Sequence, residues 1–375
     1  MEYRTFGQTG VSVSALGYGC MRLPKTADGK IDRPRAVALI RHAIDSGVNY
    51  VDTAYVYHGG ESEDLLGEAL QDGYRAKTCI ADKLPVWLVQ KPADFDTLLD
   101  EQLRRLRTDC IDFYLLHALS RDRWRNIILR FGLLEKLENA RRSGKIRFIG
   151  FSFHDTNDAF HEILDGYDGW DFCQIQYNYI NTDTQAGQEG LEAAARRGLG
   201  VVIMEPLLGG RLAAPPERVA AQLPAGKSPV EAALDFIWTQ NAPSLLLSGM
   251  SDETQLEQNL EFAGRSSVGM LAPADFEAYG RAKAVFDHMA LTPCTGCAYC
   301  MPCPFGVQIP AVFAAYNRTV SDGMKAAQAA YQALSGKADQ CRACRRCEQV
   351  CPQHIAISTQ MKQVSARFAE AESSK

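Results

Sequence analysis

The chain has 375 residues, 46% of them hydrophobic and 23% charged, and this much apolar surface excludes a mainly disordered chain. With 40 basic and 45 acidic residues the formal net charge is −5, which argues against nucleic acid or an anionic membrane as partner, since both call for a basic surface. No apolar stretch approaches the ~18–20 residues of a membrane-spanning helix. Met1 to Gly10, with Glu2, Arg4 and Gln8, lacks the apolar core of a secretory signal, so a cytoplasmic protein is expected.

Taken in chain order, Met1 to Val13 reads as a short hairpin with Gly7 and Gly10 at its turn. Eight apolar runs follow as candidate strands: Ala15–Gly19, Tyr50–Ala54, Cys79–Lys83, Ile111–His117, Phe148–Phe153, Phe172–Tyr177, Val201–Glu205 and Leu245–Gly249. Most lack period-two alternation, which predicts burial on both faces, as in a parallel sheet covered by helices. Helical patterns separate them over Pro34–Ser46, Asp94–Arg107, Leu133–Arg142, Asp158–Leu164, Gln185–Arg197 and Val230–Thr239, and Asp252 opens the last. Eight strand–helix repeats in about 250 residues match a closed (β/α)8 TIM barrel. A doubly wound open sheet is the competitor, but Leu16 to Arg22 after the first strand is not its glycine-rich phosphate turn. Pro273–Met289 is one more helix, Asn317–Gly336 reads as an alanine-rich helical insert, and the polar tail Ala369–Lys375 is expected to fray. The domain boundary is placed near residue 288, with the barrel over 1–288 and a small, mostly helical domain over 289–375.

The cysteines are not evenly spread. Of twelve, Cys20, Cys79, Cys110 and Cys173 stand singly, and the rest form two runs. The first run is Cys294, Cys297, Cys300, Cys303 before Pro304; the second is Cys341, Cys344, Cys347, Cys351 before Pro352. The second has the bacterial ferredoxin spacing, and the first has one residue fewer before its fourth cysteine. In two-cluster ferredoxins the fourth cysteine of each run ligates the other cluster. That rule assigns Cys294, Cys297, Cys300 and Cys351 to one [4Fe–4S] cluster and Cys341, Cys344, Cys347 and Cys303 to a second. A pair of four-thiolate zinc sites is the alternative, although zinc sites usually pair two Cys-x2-Cys knuckles.

Four polar residues stand at or just past the C-terminal ends of consecutive candidate strands, where barrel enzymes keep their chemistry: Asp52, Tyr57, Lys83 and His117. Reducing a carbonyl needs a hydride donor and a proton for the developing alkoxide. A tyrosine is a poor acid–base group at neutral pH, and an ammonium beside it favours the phenolate. Asp52 would hold Lys83, and His117 would orient the carbonyl oxygen or share the proton. Asn49 to Tyr57, followed by Gly60-Glu-Ser-Glu-Asp-Leu-Leu-Gly67, resembles the strand-two signature of the aldo-keto reductase family, in the branch with a C-terminal ferredoxin-like domain.

The resemblance assigns those four residues the same roles. It implies NADH or NADPH as cofactor and places Ser152 and Gln174 at the nicotinamide carboxamide, Met204 where many members stack an aromatic ring, and Asn259 at the adenine. Gly249 and Gln255 stand where many NADPH-preferring members carry lysine and arginine, so neither nucleotide is preferred. The expected function is an oxidoreductase acting on a small-molecule carbonyl or alcohol, coupled to the clusters for electron transfer, with a ferredoxin or other electron carrier as candidate partner. The alternatives are a ferredoxin-driven reductase without nicotinamide, and an electron-transfer protein with the barrel as scaffold. Tyr18, Met21, Trp87, Trp124 and Leu208 are candidate pocket residues. The arginines of Ser120–Arg130 read as a solvated face or a site for an acidic partner.

Overall fold

The structure is a computed structural model that describes residues 1–289 and 291–373. By contact the chain forms two compact units, residues 1–206 with 233–272, and residues 207–232 with 273 onward. The divide therefore falls ahead of residue 288. Helix Pro273–Met289 belongs with the second unit, where its Tyr279 hydroxyl donates to the Ala232 carbonyl at 2.7 Å.

The first unit opens with an antiparallel hairpin, β1 (Tyr3–Thr5) and β2 (Ser12–Ser14). Eight parallel strands then close into a barrel: β3 (Leu16–Gly19), β4 (Tyr50–Asp52), β5 (Cys79–Leu84), β6 (Ile111–Leu119), β7 (Ile146–Phe153), β8 (Phe172–Gln176), β9 (Gly200–Met204) and β10 (Leu245–Ser248), with β10 pairing β3. The strands are almost wholly buried, as their unbroken apolarity requires. Phe6, from the hairpin turn, packs among Tyr50, Phe113 and Phe172 near the ends where strands begin, with ring centroids 4.6 Å from Phe113 and 5.6 Å from Phe172. Gly7 beside it has φ +53°, and a Cβ there would lie 2.3 Å from the Gly200 nitrogen, so only glycine lets the hairpin seat.

Strand β6 runs two residues past its expected end, with a register shift between Leu116 and Leu119 and Ala118 at φ +53°. This irregularity follows His117 directly, and such bulges re-aim neighbouring side chains.

Among the described residues the second unit contains helices and no strand. Its core gathers Val312, Phe313, Tyr331, Met361, Val364 and Phe368, with Tyr331 stacked on Phe368 at 4.0 Å. The expected insert over Asn317–Gly336 is instead two helices, Ile309–Ser321 and Met324–Gln332, parted at Asp322 and Gly323. Pro310 occupies the first turn of the former helix, where its missing N–H costs nothing. Helix Ile357–Ser373 runs through most of the tail expected to fray; Ser374 and Lys375 lie outside the described residues.

Candidate active site and cysteine cavities

Asp52 is the last residue of β4, Lys83 is next to last in β5, and both are buried. Lys83 Nζ lies 2.7 Å from each Asp52 carboxylate oxygen and 2.6 Å from the Thr53 carbonyl. The turn after β4 passes through left-handed His58, Gly59 and Gly60, and brings the Tyr57 hydroxyl to 3.5 Å from Lys83 Nζ. The His117 ring stands edge-on to Tyr57 at 6.2 Å between centroids and 5.1 Å from the Trp87 ring. The structure therefore brings all four residues to one place. Burial, reinforced by the charges of Lys83, Arg123 and their neighbour His154, pushes His117 well below the ordinary histidine range. Burial raises the Asp52 carboxyl, and Lys83 acts against that rise.

A second layer behind Lys83 was not foreseen. Asp82 faces outward from β5 and, with Glu63 of helix Ser62–Ala69, is fully buried. Gln102 Nε2 donates to Glu63 at 3.0 Å, to Asp82 at 2.8 Å and to the Lys83 carbonyl at 3.0 Å, and its own oxygen accepts from Tyr114 at 2.7 Å. Asp82 also accepts from the Lys83 backbone N–H at 2.8 Å, and Arg105 pairs with Glu63 at 2.9 Å. Burial first, then Glu63, raise the Asp82 carboxyl well above the usual carboxylate range. The hydrogen bond between the Asp82 and Glu63 side chains favours the protonated form of Asp82. Both peptide groups of Lys83 are thus held from the outer face of the barrel.

The other candidates divide. Ser152 Oγ accepts from the Ala118 N–H at 2.7 Å, the donor freed by the β6 irregularity. Gln174 donates to the Met204 sulfur at 3.7 Å, while its buried Oε1 has no hydrogen-bond partner among the described residues. Asn259 is buried and donates to Ser248 at 2.9 Å. Asn178 spends its amide on the Glu205 carbonyl and the Ile180 and Asn181 N–H groups. Tyr18 and Trp124, read as pocket residues, are buried: Tyr18 donates to the Met250 carbonyl and Trp124 packs on Trp170. Arg121 and Arg125 pair with Glu162, whereas Arg123 lies over the Trp87 ring at 5.0 Å and donates to the Ala118 carbonyl.

In the second unit the eight clustered cysteines form no disulfide among the described residues and fall into two sets. Cys294, Cys297, Cys300 and Cys351 line one cavity together with Ile309, Phe313 and Ile355. Cys303, Cys341, Cys344 and Cys347 line another with Val307, Ile309 and Met361. The fourth cysteine of each run thus sits with the first three of the other. Among the described residues, no three cysteine, histidine or carboxylate side chains converge as ligands of a single metal ion.

Residues 15–265 match the model of the aldo/keto reductase family, and residues 293–356 match that of a 4Fe-4S dicluster domain. The chain resembles the holo form of an aldo-keto reductase from Bacillus halodurans at 23% identity and TM-score 0.63, over 75% of this chain and 96% of that one. It also resembles a thermostable aldo-keto reductase solved with the inhibitor epalrestat, at 26% identity and TM-score 0.61, over 76% of this chain and all of that one. The barrel, its strand-end polar cluster and these matches together place the chain in the aldo/keto reductase family, as an oxidoreductase that carries a 4Fe–4S domain after its barrel.

Proposed function

We propose that the barrel interconverts a small-molecule carbonyl and its alcohol with NAD(P)H, and that the second unit holds two [4Fe–4S] clusters that pass electrons singly. The observation that carries the first part is the buried Lys83 ammonium, clamped by Asp52 at 2.7 Å and directed at the Tyr57 hydroxyl at 3.5 Å. An ammonium there stabilises the phenolate, so Tyr57 can give a proton to the developing alkoxide and regain it afterwards. His117, neutral because burial opposes its charging, presents a hydrogen-bonding nitrogen to the substrate oxygen without adding a second cation beside Lys83. Trp87, against His117, forms an apolar wall.

The nicotinamide end of a cofactor fits the residues present. The unpartnered Gln174 oxygen suits the amide N–H of a carboxamide, and Ser152 and Met204 border it. Asn259 is the candidate for the adenine. Such a cofactor supplies hydride, while Tyr57, Lys83 and His117 manage the proton. For the clusters, the support is the donor set: two groups of four thiols, each lining one cavity.

The test is Tyr57→Phe, assayed against a panel of aldehydes and ketones with both nucleotides. Loss of turnover of about 10²-fold or more with nucleotide binding retained supports the assignment. Unchanged turnover removes Tyr57 from its role, and failure of the wild type to bind either nucleotide favours the reading without nicotinamide.

A further inference from the structure

The two cysteine sets differ in charge and exposure. From Cys294 to Cys303 there is no charged residue, whereas between Cys341 and Cys351 the chain places Arg342, Arg345, Arg346 and Glu348. All three arginines are exposed, and Cys344, in their midst, is the one exposed cysteine; the other seven of the two runs are half-buried. Arg342 and Arg345, with Phe305, line the cavity of this set, and Arg346 does not. Among the described residues none of the three arginines makes an ion pair. The nearby Glu348 carboxylate is instead taken by the Ser358 N–H at 2.7 Å and hydroxyl at 2.6 Å. Phe305, 44% exposed, adds apolar area to the same surface.

A basic patch on a chain of net charge −5 is a local feature rather than a reflection of composition. Exposed arginines around a rim, outside any close ion pair and beside an apolar side chain, form the kind of surface that steers an oppositely charged protein into a short-lived contact. We infer that the Arg342, Arg345 and Arg346 face around Cys344 is the docking port for a small acidic one-electron carrier protein, which exchanges electrons with the second cluster. The inference rests on the reading that this thiol set holds a [4Fe–4S] cluster. The step makes and breaks no bond: the carrier's iron is oxidised by one electron and the cluster is reduced by it.

The experiment uses the anaerobically purified full chain and a reduced acidic [2Fe–2S] ferredoxin as probe, following cluster bleaching in a stopped-flow instrument. The bimolecular rate should fall by about tenfold or more between low and high salt. The triple variant Arg342→Gln, Arg345→Gln, Arg346→Gln should lose about tenfold at low salt and most of its salt slope, with iron content unchanged. Arg346→Glu alone should slow the probe about threefold while leaving reduction by a small uncharged reductant unaltered. A salt-independent rate, or a triple variant equally slow with the small reductant, overturns the inference, because the arginines would then act on the cluster alone. A wild type without iron overturns the cluster reading beneath it.

Discussion

Lys83 Nζ is equidistant, at 2.7 Å, from the two oxygens of Asp52, and the two side chains are 1% and 3% exposed. A buried ion pair of this kind is weak evidence of net stabilisation, since both charges have left water, but removing one partner strands the other. Lys83→Met should therefore lose about 3–5 kcal/mol of stability as well as its activity. Adding Asp52→Asn should recover most of the stability and none of the activity. Urea denaturation beside turnover separates the two effects, and a double variant as unstable as the single would show that the pair is not the cause.

His117 gives a pH prediction with a definite sign. Burial and the nearby cations hold its folded pKa well below the ordinary 6.5. Above about pH 6.5 neither state binds the proton and stability is unaffected. As pH falls below that value, the unfolded chain takes up a proton that the native site refuses. Stability then declines with a slope approaching about 1.4 kcal/mol per pH unit. His117→Gln should remove that share of the acid sensitivity. Urea midpoints of both proteins between pH 7.5 and 5.5 measure it, and parallel curves would contradict it.

Asp82 behaves in the opposite sense. Burial and Glu63 raise its folded pKa, so the native state keeps a proton that the unfolded chain releases from about pH 4 upward. Its contribution to stability thus falls as pH rises above about 4. Asp82→Asn supplies a permanent donor toward Glu63 and an acceptor for the Lys83 N–H, loses the acceptor for Gln102, and should flatten this fall while preserving turnover. Asp82→Ala leaves that N–H and Gln102 short of an acceptor and should cost about 1–3 kcal/mol. Equal effects of the two substitutions would show that Asp82 keeps no proton there.

Most of the barrel was legible because each strand is an unbroken apolar run, and burial on both faces leaves that mark in sequence. The strand-end set Asp52, Tyr57, Lys83 and His117 was legible for a related reason, since a charged residue ending an apolar strand stands out. The Glu63, Asp82 and Gln102 layer was not. Glu63 and Gln102 are 39 residues apart, and acidic residues in a sequence read as solvent-facing until a fold surrounds them. Arg123 was read with its neighbours as part of a solvated stretch, yet a cation–π contact with Trp87, 36 positions earlier, draws it in. Helix Ile309–Ser321 begins eight residues before the expected insert, with Pro310 in its first turn. Local pattern records burial; it does not record which distant side chain satisfies a buried polar group.

The crossing of the two cysteine runs is the most direct test of the second unit. Cys351 follows the second run in sequence but lines the cavity of Cys294, Cys297 and Cys300, and Cys303 lines that of Cys341, Cys344 and Cys347. Cys351→Ser should therefore disturb the cluster of the first run, although the substitution lies in the second, and Cys303→Ser the reverse. The two cysteine sets differ in surroundings: no charged residue stands among the first three cysteines of one set, while three arginines stand beside those of the other. Their reduced forms should give distinguishable paramagnetic resonance signals, because nearby charge and exposure tune a cluster's potential. Each variant should keep one signal and about half the iron. The signal lost in Cys344→Ser should survive in Cys351→Ser and vanish in Cys303→Ser. If instead Cys351→Ser removes the signal that Cys344→Ser removes, each run holds its own cluster.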